Sequence, residues 1–96
     1  MEFLVRIDVR TPVDMDPERL AALQAAETAR ARELVAEGLL RRIWRIPGRR
    51  SNYSLYEAPD ATALHAALSS LPLFPYMEIE VSALAVHPVD PAPAPR

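Results

Sequence analysis

The chain has 96 residues, half of them hydrophobic and a quarter charged, with a formal net charge of −2 and no cysteine. That length allows one domain with a single core. The charge balance argues against a general polyanion binder, and the lack of thiols removes disulfides, thiolate nucleophiles and thiolate metal sites.

Phe3, Val5, Ile7 and Val9 alternate with Leu4, Arg6, Asp8 and Arg10, which predicts a half-buried first strand. Charges inside this apolar run, without a small-residue cleavage site, argue against a signal peptide. Thr11 to Met15, with Pro12, reads as a loop. Asp16-Pro17-Glu18 supplies an N-cap, a proline at the first helical position and an acidic first turn. An alanine-rich helix is expected from there to Glu37, stopped by Gly38. Leu39 to Ile46 makes a second strand, Pro47 to Arg50 a turn, and Ser51 to Glu57 a third strand that completes a hairpin. Pro59-Asp60 caps a shorter helix over Ala61 to Ser70.

Leu71-Pro72-Leu73-Phe74-Pro75-Tyr76 then leads into a fourth strand, about Met77 to Val86. Its two prolines fix φ and disfavour helix at Leu71 and Phe74, so the joint is expected to be extended and rigid. From His87 onward prolines alternate with small residues, giving an extended tail that could wrap a neighbour. The domain is expected to cover residues 1–88, with 89–96 as the tail. No apolar run reaches transmembrane length, and a cytoplasmic location without membrane association is the expectation.

The order βαββαβ predicts an α+β, ferredoxin-like fold, a four-stranded antiparallel sheet with two helices on one face. The other face would carry Leu4, Arg6, Glu78 and Glu80, a mixture that must meet water or another subunit. Two such sheets packed face to face form a dimeric α/β barrel. The large apolar fraction in so short a chain favours that homo-oligomer.

On a helical wheel, Leu20, Leu23, Ala31, Leu34 and Val35 define an apolar stripe on the first helix, and Glu27 falls in its middle. Glu18, Glu33 and Glu37 lie on or near the opposite side. A glutamate on the inward face must find a partner, line a cavity, or have its pKa raised by desolvation. The last two suit a general base working near neutrality. The plainer reading is an ion pair, with Arg6, Arg30 or Arg45 as partner.

His65 sits at the edge of the second helix's apolar stripe, with Ser69 one turn on, and reads first as a hydrogen-bonded boundary residue. His65 and His87 lack ligand spacing, so no metal site is expected. Asn52, Ser54 and Tyr56 share one face of the third strand, and Tyr53, Leu55 and Glu57 the other. The first set is either a source of hydrogen bonds to a ligand or the wet side of the sheet. Trp44 and Arg45 point to opposite sides of their strand, with Trp44 expected in the core or a pocket wall. Arg41, Arg42, Arg45, Arg49 and Arg50 form the one basic concentration. RNA-recognition domains share the βαββαβ order, but Ser51 to Tyr56 lacks their basic-Gly-aromatic signature, so nucleic-acid binding is not expected.

Phe3 and Val5, Val13 to Pro17, Glu27, Trp44-Arg45-Ile46, Gly48, Asn52-Tyr53-Ser54, Leu64-His65 and Leu71 to Met77 together resemble the muconolactone isomerases, over residues 1 to about 88. The chain departs from that pattern at Arg49 and Arg50, around Glu27 where relatives are more polar, and near Ala85-Val86. The resemblance implies isomerisation of muconolactone to 3-oxoadipate enol-lactone, in the catechol branch of the β-ketoadipate pathway of aromatic breakdown. It also implies no metal or organic cofactor, and barrel dimers assembled into a decamer. The chemistry needs a base, a donor for the developing oxyanion and a cation for the substrate carboxylate. The resemblance puts Glu27 in the first role. Tyr53 or Asn52 is the candidate donor, depending on which strand face lines the pocket. Arg45, or an arginine of another subunit, is the cation. His65 and Ser69 are outside candidates for a second proton transfer, and Trp44, Phe74 and Tyr76 for pocket walls. The competing expectations are a chloromuconolactone dehalogenase, a cofactor-free oxygenase on the same barrel, and a non-catalytic small-ligand module.

Overall fold

The computed structural model describes residues 1–92. Four strands, β1 (Glu2–Val9), β2 (Leu40–Arg45), β3 (Ser51–Glu57) and β4 (Met77–Leu84), form one sheet in the order β2-β3-β1-β4. Every pairing is antiparallel. Helices α1 (Pro17–Ala36) and α2 (Ala61–Ser69) supply the βαββαβ order of a ferredoxin-like fold. The last four residues of the expected tail lie outside the described residues, and the part that is described contains a turn in which the Asp90 amide donates to the His87 carbonyl.

The alternation read in β1 becomes the core. Phe3, Val5 and Ile7 are buried, and their neighbours on β3 and α2, Tyr56, Leu64, Ala67 and Leu68, close over them with Leu71. Both helices start as their sequences dictate. The Asp16 carboxylate accepts from the Arg19 amide and the Asp60 carboxylate from the Ala63 amide, satisfying donors that have no partner inside the helix. Gly38, at φ 79°, takes the left-handed conformation that ends α1, and Gly48, at φ 77°, does the same in the β2–β3 turn.

Three features depart from the simple reading. First, β2 and β3 slip in register between Leu40 and Arg42. This bulge changes which parity faces inward, so Leu40 is buried in the core while Ile43 and Arg45 also face the helix side. Second, the joint after α2 is not extended. Phe74–Tyr76 form one turn of 3₁₀ helix, with the Phe74 amide donating to the Leu71 carbonyl and the Tyr76 amide to the Leu73 carbonyl. The φ that proline imposes suits the start of a helical turn as well as an extended chain, and these bonds decide between them. Third, β4 ends at Leu84 rather than Val86.

Candidate active site

A cavity of about 610 Å³ opens between α1 and the helix-side face of the sheet. It exists because α1 is not pressed flat on the strands. Leu34 near its C-terminus is its only buried residue, while Leu20 and Leu23 stay partly open. The space falls in the range of small-molecule sites.

Glu27 lines this cavity from α1 and is half-buried. Two of the expected arginine partners are engaged elsewhere, and the third, Arg45, lines the same cavity without an ion pair to Glu27. Arg6 lies on the far side of the sheet against Asp8, at 3.1 Å, and Arg30 donates to the Ser70 hydroxyl at 2.9 Å and pairs with Glu37 at 3.5 Å. Glu27 instead accepts one bond, from the Leu73 amide at 3.0 Å. Burial pushes its pKa above the usual carboxylate range, and the amide opposes part of that shift. The 3₁₀ turn therefore aims a backbone donor at the carboxylate, which positions it without neutralising it.

Across the cavity stand Asn52, Ser54 and Tyr56 of β3. They are on the covered face of the sheet, not its wet side, because β1 pairs them with Ile7, Val5 and Phe3. The Ser54 hydroxyl donates to the Asn52 side-chain oxygen at 2.8 Å, which leaves the Asn52 amide NH₂ to the cavity. Tyr56 is only 2 % exposed, and its phenol pKa is pushed up to about 12, by burial first and then by the negative charge of Glu27. It stays a neutral hydroxyl at physiological pH. Tyr56 was not singled out as a site residue from sequence, although its parity with Asn52 and Ser54 was the signal. Arg45 also lines the cavity, turned inward by the bulge, and Arg32 and Arg50 join it at the wall.

Several expected residues lie elsewhere. Trp44 is 43 % exposed on the open face, with the Arg42 guanidinium 4.9 Å from its ring centre, so it is neither core nor a wall of this cavity. Tyr53 pairs with Arg6 and Trp44 on the same open face, so β3 presents Asn52 to the cavity and turns Tyr53 away from it. His65 is exposed on α2, its ring edge-on to Phe74 at 6.2 Å, and the Ser69 hydroxyl donates to the Ala66 carbonyl. Phe74 and Tyr76 are half-buried in the 3₁₀ turn and, with His65 and Ser69, stay off the cavity wall.

The fold and cavity define a small ferredoxin-like protein with a lone, desolvated carboxylate facing amide and hydroxyl groups, an arrangement suited to moving a proton on a small anionic ligand. The profile of the muconolactone delta-isomerases matches residues 1–90. The chain is 49 % identical to the muconolactone delta-isomerase of Pseudomonas aeruginosa over 88 residues, covering 92 % of each. It is 44 % identical to that of Rhodococcus opacus, covering 92 % of this chain and 95 % of the relative. A crystal structure of muconolactone isomerase superposes with a TM-score of 0.91 at 46 % identity, covering both chains fully. A 5-chloro-2-hydroxyhydroquinone dehydrochlorinase of Burkholderia phenoliruptrix shares the fold alone, with a TM-score of 0.67 and 15 % identity over 88 % of this chain and 94 % of its own. The chain belongs to the muconolactone delta-isomerase family.

Proposed function

We propose that the chain isomerises muconolactone to 3-oxoadipate enol-lactone, with Glu27 as the base. The observation that carries this reading is a half-buried carboxylate of raised pKa, held by one backbone amide and open to a cavity. The ionised Glu27 takes the proton from the ring γ-carbon. The C–H electron pair enters the conjugated system, and negative charge gathers on the lactone carbonyl oxygen. The Asn52 amide, oriented by Ser54, donates to that oxygen as charge develops. Glu27 then returns its proton at the α-carbon, moving the ring double bond by one position, so one carboxylate serves both transfers. Arg45 holds the side-chain carboxylate.

The same reading places catalysis in residues 1–88, with 89–96 as an appended tail, and no metal or organic cofactor is needed for the proton shift. It includes dimers that pair the open sheet faces and dimers that assemble to a decamer, supported by the exposed Trp44, Tyr53 and Leu84 on that face. A cytoplasmic enzyme of the β-ketoadipate pathway fits a chain in which no described helix is long and apolar enough to cross a membrane.

The test is to incubate the protein with muconolactone in deuterated buffer and follow the enol-lactone and its label by NMR. Turnover is expected; its absence at micromolar enzyme rejects the assignment.

A further inference from the structure

Among the described residues, three guanidinium groups line the cavity, from three parts of the chain: Arg32 on α1, Arg45 at the end of β2 and Arg50 just before β3. Glu27 is the only acidic one among the described residues on the same wall. Arg6, Arg10 and Arg30 each have a carboxylate within 4.0 Å, whereas the side chains of Arg32, Arg45 and Arg50 take part in no ion pair or hydrogen bond among the described residues. Their neighbours in sequence explain part of this. Positions three and four from Arg32 along α1 hold Ala29, Val35, Thr28 and Ala36, none of them acidic. Arg49 acts on Asp8, which belongs to the opposite face of the sheet, so the two adjacent arginines divide and Arg50 is the one left to the cavity.

Arg32, Arg45 and Arg50 are exposed at the cavity wall; like charges gathered around one cavity repel, and they are stabilised when an anion enters. A lactone with a single carboxylate engages one guanidinium, and ionised Glu27 offsets a second. One positive charge is still unanswered. We infer that Arg32 and Arg50 form a second anion subsite, and that the cavity binds dicarboxylates of about the length of the lactone skeleton. This deepens the reading of the cavity as a site for acidic lactones. Water opening such a lactone converts the former carbonyl into a second carboxylate at the far end of the same carbon chain. The ring-opened diacid thus presents one carboxylate to Arg45 and the other to Arg32 and Arg50, and it competes with the lactone.

Calorimetric titration of the full chain with adipate and with hexanoate tests this, because the two probes match in length and differ by one carboxylate. Adipate is expected to bind roughly tenfold more tightly, the scale of charge-assisted hydrogen bonds to one added carboxylate. The preference should shrink as salt is raised. In an Arg32→Gln/Arg50→Gln variant with unchanged circular dichroism the two ligands should bind alike, while Arg49→Gln should keep the preference. Equal affinities in the wild type, or a preference surviving in the double variant, overturn the subsite. Failure of the isomerase reading looks different: muconolactone is not turned over, yet the adipate preference remains.

Discussion

Glu27 is the residue on which the chemistry turns, and its surroundings set two measurable consequences. Replacing it with Gln keeps the shape and the acceptor for the Leu73 amide but removes the base. Turnover should fall by about a hundredfold or more, with the variant still folded; near-normal turnover would place the base elsewhere. In the wild type, kcat/KM should rise with pH along a limb lying above the ordinary carboxyl range, because burial raises the pKa of Glu27. The same shift gives a stability signature. The folded chain holds this proton more tightly than the unfolded chain does, so Glu27 favours folding below its unfolded pKa and loses that advantage as pH rises through the raised, folded value. Glu27→Gln should therefore melt higher than wild type at about pH 8, and the gap should close toward about pH 3. A gap that stays constant across that range would mean the carboxylate is not desolvated.

Among the elements, those governed by local rules were legible from sequence and those governed by tertiary contacts were not. Caps at Asp16 and Asp60, the stop at Gly38, the span of β3 and the inward parity of β1 follow from residue type and period alone. The inward placement of Glu27 followed from the wheel. Whether it met a guanidinium or a cavity did not, because that depends on where Arg30 finds Ser70 and Glu37. The bulge at Leu40/Arg42 has no signature in a strand that alternates only loosely, yet it decides that Arg45 faces the cavity. In the 72–75 segment, proline restricts φ without choosing between a turn and an extended path, and hydrogen bonds formed after docking make the choice. The attachment of α1 yields a test. Leu34 is fully buried whereas Leu23, a contributor to the same stripe, is only partly so. Leu34→Ala should cost about 2–5 kcal/mol in urea unfolding, and Leu23→Ala less than half of that, since less apolar area is lost. Equal costs would mean that the N-terminal half of α1 is packed as tightly as its end, leaving little room for a ligand.

For the whole molecule, the two faces of the sheet differ in what they leave undone. The helix side is closed by the core and the cavity, while the other side presents Leu4, Tyr53, Leu55, Trp44 and Leu84 around the Arg6–Asp8 pair. Tyr53 is 37 % and Leu84 43 % exposed, and the Arg6 guanidinium lies 5.8 Å from the Tyr53 ring centre, so this surface mixes aromatic area with the Arg6–Asp8 pair and with Glu80, exposed opposite Arg6 on β4. The apolar groups gain by leaving water and the Arg6–Asp8 pair enters already matched, which favours an interface here, while Glu80 requires water or a cation of the facing copy. The chain should sediment as a dimer or a multiple of one at micromolar concentration. Leu4 sits at the centre of this face, opposite Leu55 on β3 and Ser82 on β4. Leu4→Glu adds a charge there beside Glu80 on the same face, which costs several kcal/mol if the face is buried against a second copy and little if it faces water. The variant should keep its circular dichroism and sediment at lower mass than the wild type. If both sediment alike, or the wild type is monomeric, the open face is not the surface through which copies of this chain meet.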